Sequence, residues 1–405
     1  MLLRNRQHTL KDIFDLTGDR SDELTSTNQK DQLKKRMEMF LFNPKMIVST
    51  KDAYDSATMF LKYEERRKSN MFLTTESELR EFILKTLHVI GVDSEKSNIF
   101  ATAMIESDKR GYTYEGLSHF KQYILDISGN VCLKNVRPKI LSETASAAWV
   151  DGARALAPIT AKFCIELAIS KATKSGIGIV CVKNVTAVGH SAWINSSDKA
   201  GLGDNIISYS APAGFDNFHL QLSSTALSKE TLQSHMFNNI NFNAEFGHGP
   251  NGKLTTKPQE IQAGKRQLPL GLTKTLGAVK GYGLAIVIEV LCGILSGSQF
   301  GPFIKESYEL ENESTNYGEC LIVIDPKCFC FGFEIRLAEF LNTIRKLPPV
   351  DESKPVLIPG EMETFRLHLA EKQMGILYPS SVVEMTKFIA NKLHIPPLKF
   401  KTLKA

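Results

Sequence analysis

The chain has 405 residues, a formal charge of +5, and 42% apolar against 23% charged side chains, the balance of an ordinary soluble protein with a substantial core. Its basic residues are spread along the sequence, with short clusters only at Lys34-Lys35-Arg36 and Arg66-Arg67-Lys68, which speaks against a nucleic-acid-binding surface. A membrane-spanning helix needs roughly 18 or more consecutive apolar residues, and the best candidate, Leu284 to Leu295, is shorter and contains Glu289, so no membrane insertion is expected.

Residues 1–73 read as an N-terminal extension with helical segments, expected over 30–42 and 51–68. There basic residues accompany Met37, Phe40, Phe60 and Leu61, a composition suited to docking on a protein partner. Arg4, Arg6 and Lys11 are followed at once by Asp12, Asp15 and Asp19, and transit peptides are poor in acids. A cytoplasmic protein is therefore expected before a mitochondrial one. The seven cysteines are scattered, several within apolar runs such as Ile179-Val180-Cys181-Val182, which favours buried, reduced thiols. Cys328-Phe329-Cys330 has no second pair, so no metal site is expected.

The body begins near Thr75. Leu79, Phe82, Ile83 and Leu87 share one helical face that Gly91 can end, and Asp93 or Ser94 can cap a second helix towards Asp108. A long helix is expected over 158–174 with Gly176 as its stop, then strands over 177–183 and 205–211. The stretch 212–265 is rich in Asn, Gly, Ser and Thr and reads largely as loop with short ordered pieces. Gly277 to Ser296 carries the strongest central helix signal, and its early glycines together with Lys280 suit either close packing or a phosphate. Cys320 to Asp325 reads as a buried strand, followed by helices over 336–347, after Gly360, and after a Ser381/Glu384 capping box. The expected division is 1–73, a helical part over 74–150, a degenerate cofactor-binding-like part over 151–310, and a C-terminal part over 311–405 that completes the body.

Arg110-Gly111, Val150-Asp151-Gly152, Gly176-Ile177-Gly178, Pro269-Leu270-Gly271, Lys280-Gly281-Tyr282-Gly283-Leu284 with Glu289, Leu295-Ser296-Gly297 and Pro359-Gly360-Glu361 occur in one order. In this the chain resembles the type-2 malate/L-lactate dehydrogenase family, which also includes ureidoglycolate dehydrogenases and cyclic imino-acid reductases. The likeness spans roughly 75 to 397. It implies an α/β fold distinct from the classical Rossmann topology, a homodimer, and hydride transfer between NAD(P) and a small 2-hydroxy or 2-imino acid.

The family's chemical residues, however, are replaced. Its Arg-Gly-x-x-Ser-His-Gly-x-x-Arg segment with a following Tyr puts Tyr114 at the serine, Glu115 at the histidine, His119 at the arginine and Tyr123 at the tyrosine. Pairing Ser118-His119 with the Ser-His instead would shift Arg-Gly and lose Tyr123. Ala187 stands at a second histidine, with His190 further along, and Gln221 stands at an aspartate. Carbonyl reduction needs a proton donor, a cation for the substrate carboxylate and a held nicotinamide. A glutamate repels a carboxylate, and a histidine replaces a bidentate guanidinium poorly.

The expectation is accordingly a catalytically inactive, dehydrogenase-like homodimer without cofactor, acting as a structural or interaction component such as part of a cytoskeletal assembly. The alternative is an NAD(P)-dependent oxidoreductase. In it Glu115, His119, Tyr123 and His190 are candidates for catalysis, and Lys280, Gly281 and Gly283 for cofactor binding.

Overall fold

A computed structural model describes residues 71–402 except 113–114, 187–190, 193–201, 204, 215, 229–230, 233–234, 237–238, 265, 274, 306–309, 311 and 351–354. The helices expected over 30–42 and 51–68 lie outside the described residues, as do Tyr114, Ala187 and His190.

The first layer is helical. Strand β1 (Met71–Thr74) leads into α1 (Glu76–Val89), where Thr75 and Glu78 form a capping box. Leu79, Phe82, Ile83 and Leu87 lie on one side of α1 and are buried. Helix α2 (Ser94–Arg110) starts on the Asp93 side chain and ends at Gly111, whose φ of 86° is left-handed. Helix α3 (Phe120–Ser128) follows a short turn. Phe100, Leu117 and Phe120 are fully enclosed in this core, and each such side chain contributes about 1.5–3 kcal/mol of burial.

The next layer is a sheet. Strands β2 (Lys139–Glu143) and β3 (Ala147–Asp151) form an antiparallel pair, and helix α4 (Ala157–Ser175) connects β3 to the parallel strand β4 (Ile177–Val185). Cys164 and Ala168 of α4 pack on Val150, Val180 and Val182. A Cβ on Gly178 would sit 1.9 Å from the Ala168 carbonyl oxygen, so helix and strand meet where only glycine fits.

Short strands β5 (Ser191–Ala192) and β6 (Leu202–Gly203) pair with each other, and then β7 (Ile207–Ala213) and β8 (Asp216–Leu222) form a hairpin. The middle of the chain also holds β9 (Gly247–His248), β10 (Leu254–Thr255), α5 (Pro258–Gly264) and β11 (Arg266–Gln267). Helix α6 (Ala278–Ile288) continues as a π-helical segment, Glu289–Ile294. Strand β12 (Tyr317–Ile324) completes the second sheet in the order β12-β4-β3-β2.

At the C-terminal end, α7 (Phe333–Arg345) covers the β7–β8 hairpin through Leu341 against Ala213. Helix α8 (Glu361–Lys372) follows, and β13 (Ile376–Pro379) leads directly into α9 (Ser380–Leu393). Strand β14 (Lys401–Thr402) ends the described chain, and β1 lies between β13 and β14. The C-terminal strands thus close the helical layer from which the body starts.

Two local expectations change. The stretch 212–265 holds short ordered pieces among loop, as expected: β8 pairs with β7 from Ile207 with Leu222 to Ala213 with Asp216, and β9, β10 and α5 are two, two and seven residues long. The strand near 320–325 is only half buried, since β12 is a sheet edge and Ile322 and Ile324 are exposed. Helix α9 begins at Ser380 with Pro379 at its N-cap and no side-chain cap, so Ser381 lies inside the helix, not at its cap.

Candidate active site

The turn between α2 and α3 is fixed from behind by one buried carboxyl group. Asp108 accepts hydrogen bonds from the Leu117 amide at 2.8 Å and the Tyr378 hydroxyl at 2.6 Å. Burial raises its pKa to about 7 against the lowering effect of those two donors. Gly116 lies against the same carboxyl, where a Cβ would come within 2.0 Å of Oδ1. No side chain can stand there, so the turn holds Glu115 in place by contact with Asp108.

Glu115 meets the β7–β8 hairpin. Gln221 donates from Nε2 to Glu115 Oε1 at 2.9 Å across 106 residues of sequence. The residue before it in the strand but one, His219, shares a 2.7 Å hydrogen bond through Nδ1 with Ser210. Burial and then the Arg110 charge keep the His219 pKa below its usual value, so its ring is neutral near pH 7. Gln221, Leu220, Pro359, Gly360, Met362 and Glu363 line an open cleft of 340 Å³ between the hairpin and α8.

Two guanidinium groups border this corner. A Cβ on Gly111 would lie 2.6 Å from the Arg366 side chain of α8. Arg110, Arg366, Glu115 and Glu363 all act electrostatically on the half-buried Tyr112 hydroxyl, whose pKa rises chiefly through desolvation. The site therefore has cations, although neither occupies the position of the family's second arginine. His119 instead turns edge-on to Tyr123, with ring centroids 5.1 Å apart, and Tyr123 is edge-on to Phe100 at 5.0 Å. Burial of the Tyr123 hydroxyl raises its pKa, and the Glu115 charge adds to this.

A backbone path runs from Gln221 to the candidate phosphate region. The Leu270 amide donates to the Ser224 carbonyl, and the Gly281 amide donates to the Leu270 carbonyl. Gly281 is where α6 touches that crossing segment, because a Cβ would lie 2.4 Å from the Leu270 nitrogen and oxygen. Gly283 faces open space, and Lys280 is exposed. The glycines of this block thus have different surroundings, one in tight packing and one at the surface.

The structure brings Glu115, His119 and Tyr123 together across the turn into α3, joins them to Gln221 and to Arg110, which the sequence offered only as a motif residue, and adds Arg366 and Glu363, which sequence reasoning left out. Gln221 was visible only as a lost aspartate. A signal for the α8 residues lay in Pro359-Gly360-Glu361, where Glu361 accepts from the Ile358 amide at 2.7 Å and from Arg345 at 2.5 Å, fixing the start of that helix.

Comparison with known proteins decides the ancestry. The family model described as malate/L-lactate dehydrogenase matches residues 74–197 and 194–386. The chain belongs to this family. A malate/(S)-sulfolactate dehydrogenase of Methanothermus fervidus is 29% identical over 350 residues, covering 80% of this chain and 99% of that protein. An L-sulfolactate dehydrogenase of Methanocaldococcus jannaschii is 27% identical over 80% of this chain and 97% of the relative. Among solved structures, malate dehydrogenase of Pyrococcus horikoshii OT3 superposes with a TM-score of 0.73 at 24% identity, covering 82% of this chain and 98% of that one. Malate dehydrogenase of Entamoeba histolytica gives 0.75 at 21%, over 80% and 99%. The α/β family fold, distinct from the classical Rossmann topology, is therefore that of this chain.

These relationships correct the expectation of an inactive, cofactor-free structural or cytoskeletal protein. Similarity runs to dehydrogenases across nearly their whole length, and membership of the family implies an NAD(P) cofactor. The physical basis of the error is also apparent. Two substitutions counted as separate losses, at Glu115 and Gln221, are in contact, so they form one altered pair and not two independent decays.

Proposed function

We propose that the chain is an NAD(P)-dependent oxidoreductase acting on a small 2-hydroxy/2-oxo acid, with a 2-imino acid as the related substrate class. The observation that carries this reading is the Glu115–Gln221 hydrogen bond at two positions where the family keeps its histidine and aspartate. A protonatable group is retained at the proton-donor position, held by a partner from the hairpin. Arg110 and Arg366 supply positive charge beside it for a substrate carboxylate, a role for which guanidinium is well suited.

The residues at α6 fit the phosphates of a dinucleotide. Lys280 is exposed, and the surface beside Gly283 has no atom within 4 Å of a would-be Cβ. These two positions are i and i+3 on one helix and share a face close to its positive N-terminal end. Lys280 would hold a phosphate and Gly283 would leave room for it, while Gly281 keeps α6 against Leu270. The bound nicotinamide supplies or accepts the hydride. Glu115 gives the substrate oxygen its proton in reduction and takes it back in oxidation, Tyr123 supports the His119 ring, and His190 is a further candidate for proton transfer.

A homodimer fits the surface. Val287, Val290 and Ile294 follow one another at helical spacing along the end of α6 and its π-helical continuation, and they are 54%, 49% and 53% exposed. A stripe of that size is unusual on a monomer and suits a second copy of the chain. Among the described residues no helix is long and apolar enough to cross a membrane.

The test is NAD(P)H oxidation by the purified protein with pyruvate, oxaloacetate, sulfopyruvate or a cyclic imino acid. Saturable turnover that is lost in Glu115→Gln supports the reading. Absence of turnover with both nucleotides and all four substrates overturns it.

A further inference from the structure

The resemblance puts Glu115 at a histidine position and Gln221 at an aspartate position, and in this chain the two touch. Here the ionisable member sits on the turn, and its partner is an amide that cannot titrate. An amide N–H facing a carboxyl oxygen is satisfied in both protonation states, since Oε1 accepts as a carboxylate oxygen and as the carbonyl of the acid.

We infer that Gln221 is the positioning residue for the proton donor, orienting the Glu115 carboxyl through its Nε2–H and tuning it by favouring the carboxylate. This rests on the oxidoreductase reading above. In reduction the carbonyl π bond of the substrate breaks, hydride from NAD(P)H forms the new C–H bond, and the Glu115 acid proton forms the new O–H bond. The nucleotide is oxidised, the substrate is reduced, and Glu115 is left as a carboxylate that water reprotonates. Gln221 exchanges no proton and stays bonded to Oε1 throughout.

The surroundings leave this hydrogen bond as a local control on the carboxyl. Arg110 and Tyr112 on its own side, His119 and Tyr123 from α3, His219 from β8, and Glu363 with Arg366 from α8 all border the corner, and Asp108 lies behind the turn. Both signs of charge are present among them. The Gln221 donor bonded at 2.9 Å favours the ionised form over the neutral one. Removing it raises the pH at which Glu115 loses its proton, and replacing it with a second carboxyl raises that pH further through like-charge repulsion.

The experiment uses the full chain as wild type, Gln221→Leu and Gln221→Glu. The Glu115 carboxyl is titrated by carbon-13 NMR, its resonance assigned by its loss in Glu115→Gln. The pH profile of kcat for oxo-acid reduction is measured alongside. The expected order of titration midpoints is wild type, then Gln221→Leu about one pH unit higher, then Gln221→Glu higher still. In Gln221→Leu the alkaline limb of kcat moves the same way, the kcat plateau on the acid side of that limb falls about tenfold, and the KM for nucleotide is little changed. A wild-type enzyme that turns over while its Glu115 midpoint is the same in Gln221→Leu overturns this inference alone. A protein without turnover overturns the oxidoreductase reading and this inference with it.

Discussion

Tyr378, in the strand that precedes the last long helix, donates its hydroxyl at 2.6 Å to Asp108, 270 residues earlier, immediately behind the turn that carries Glu115. Both groups are buried, and the pKa of each is raised, Asp108 to about 7. The contact ties the C-terminal closing strand to the candidate active site.

Asp108 therefore gives stability a defined pH dependence. Its folded pKa of about 7 lies above the ordinary aspartate value of 3.8, so the folded protein binds the proton more tightly than the unfolded chain. The associated stability is fully present below pH 3.8, declines between the two values and is absent above about 7. Asp108→Asn should remove this slope, about 3 kcal/mol between pH 4.5 and 7.5, measured as the difference in urea-unfolding free energy at those two pH values. Equal slopes in variant and wild type would show that Asp108 does not govern it.

Gly116→Ala tests the fit of the turn. The added Cβ would meet the Asp108 carboxyl at 2.0 to 2.5 Å, and the buried Asp108 side chain is held by Leu117 and Tyr378. The turn must move, and Glu115 with it. Thermal unfolding should show a loss of about 1–3 kcal/mol, and kcat/KM should fall at least about tenfold. An unchanged kcat/KM in a folded variant would separate the turn from catalysis.

Lys280→Gln probes the nucleotide site. It removes an exposed charge near the start of α6 without disturbing Gly281 and its packing on Leu270. The KM for NAD(P)H should rise about tenfold with kcat nearly unchanged, the pattern of lost ground-state binding. A reduced kcat with unaltered KM would place Lys280 in another role.

Much of the fold was legible in local chemistry. The Asp93 cap, the left-handed Gly176 helix end and the apolar face of α1 need only near neighbours, and each appears where the sequence places it. The Ser381 cap did not appear because Pro379 starts α9 directly from β13. For the site, the turn residues were readable from motif spacing, but Gln221 looked like a deficit because its meaning depends on a partner 106 residues away. Arg366 and Glu363 escaped notice for the same reason, as their link to Tyr112 and Gly111 exists only after α8 docks. Substitutions read one at a time suggested decay, whereas the structure shows two of them in one hydrogen bond.

The apolar stripe of α6 yields an assembly prediction. Val290→Glu places a charge within the exposed row formed with Val287 and Ile294. Light scattering after gel filtration should show the mass of the wild-type protein halved by the substitution, because burying an unpaired carboxylate at an interface costs several kcal/mol. An unchanged mass would move the interface elsewhere.

Trp149 offers an optical handle on the same region. Its indole N–H donates at 2.6 Å to the Ser296 carbonyl just beyond the π-helical segment, and the Lys183 ammonium lies 4.7 Å from its ring centroid. The sequence contains two tryptophans, the other being Trp193. With Trp193 changed to Phe, fluorescence would come from one ring clamped between the sheet and the far end of α6, so a displacement of that helix when nucleotide arrives would register as a change in emission without any added label.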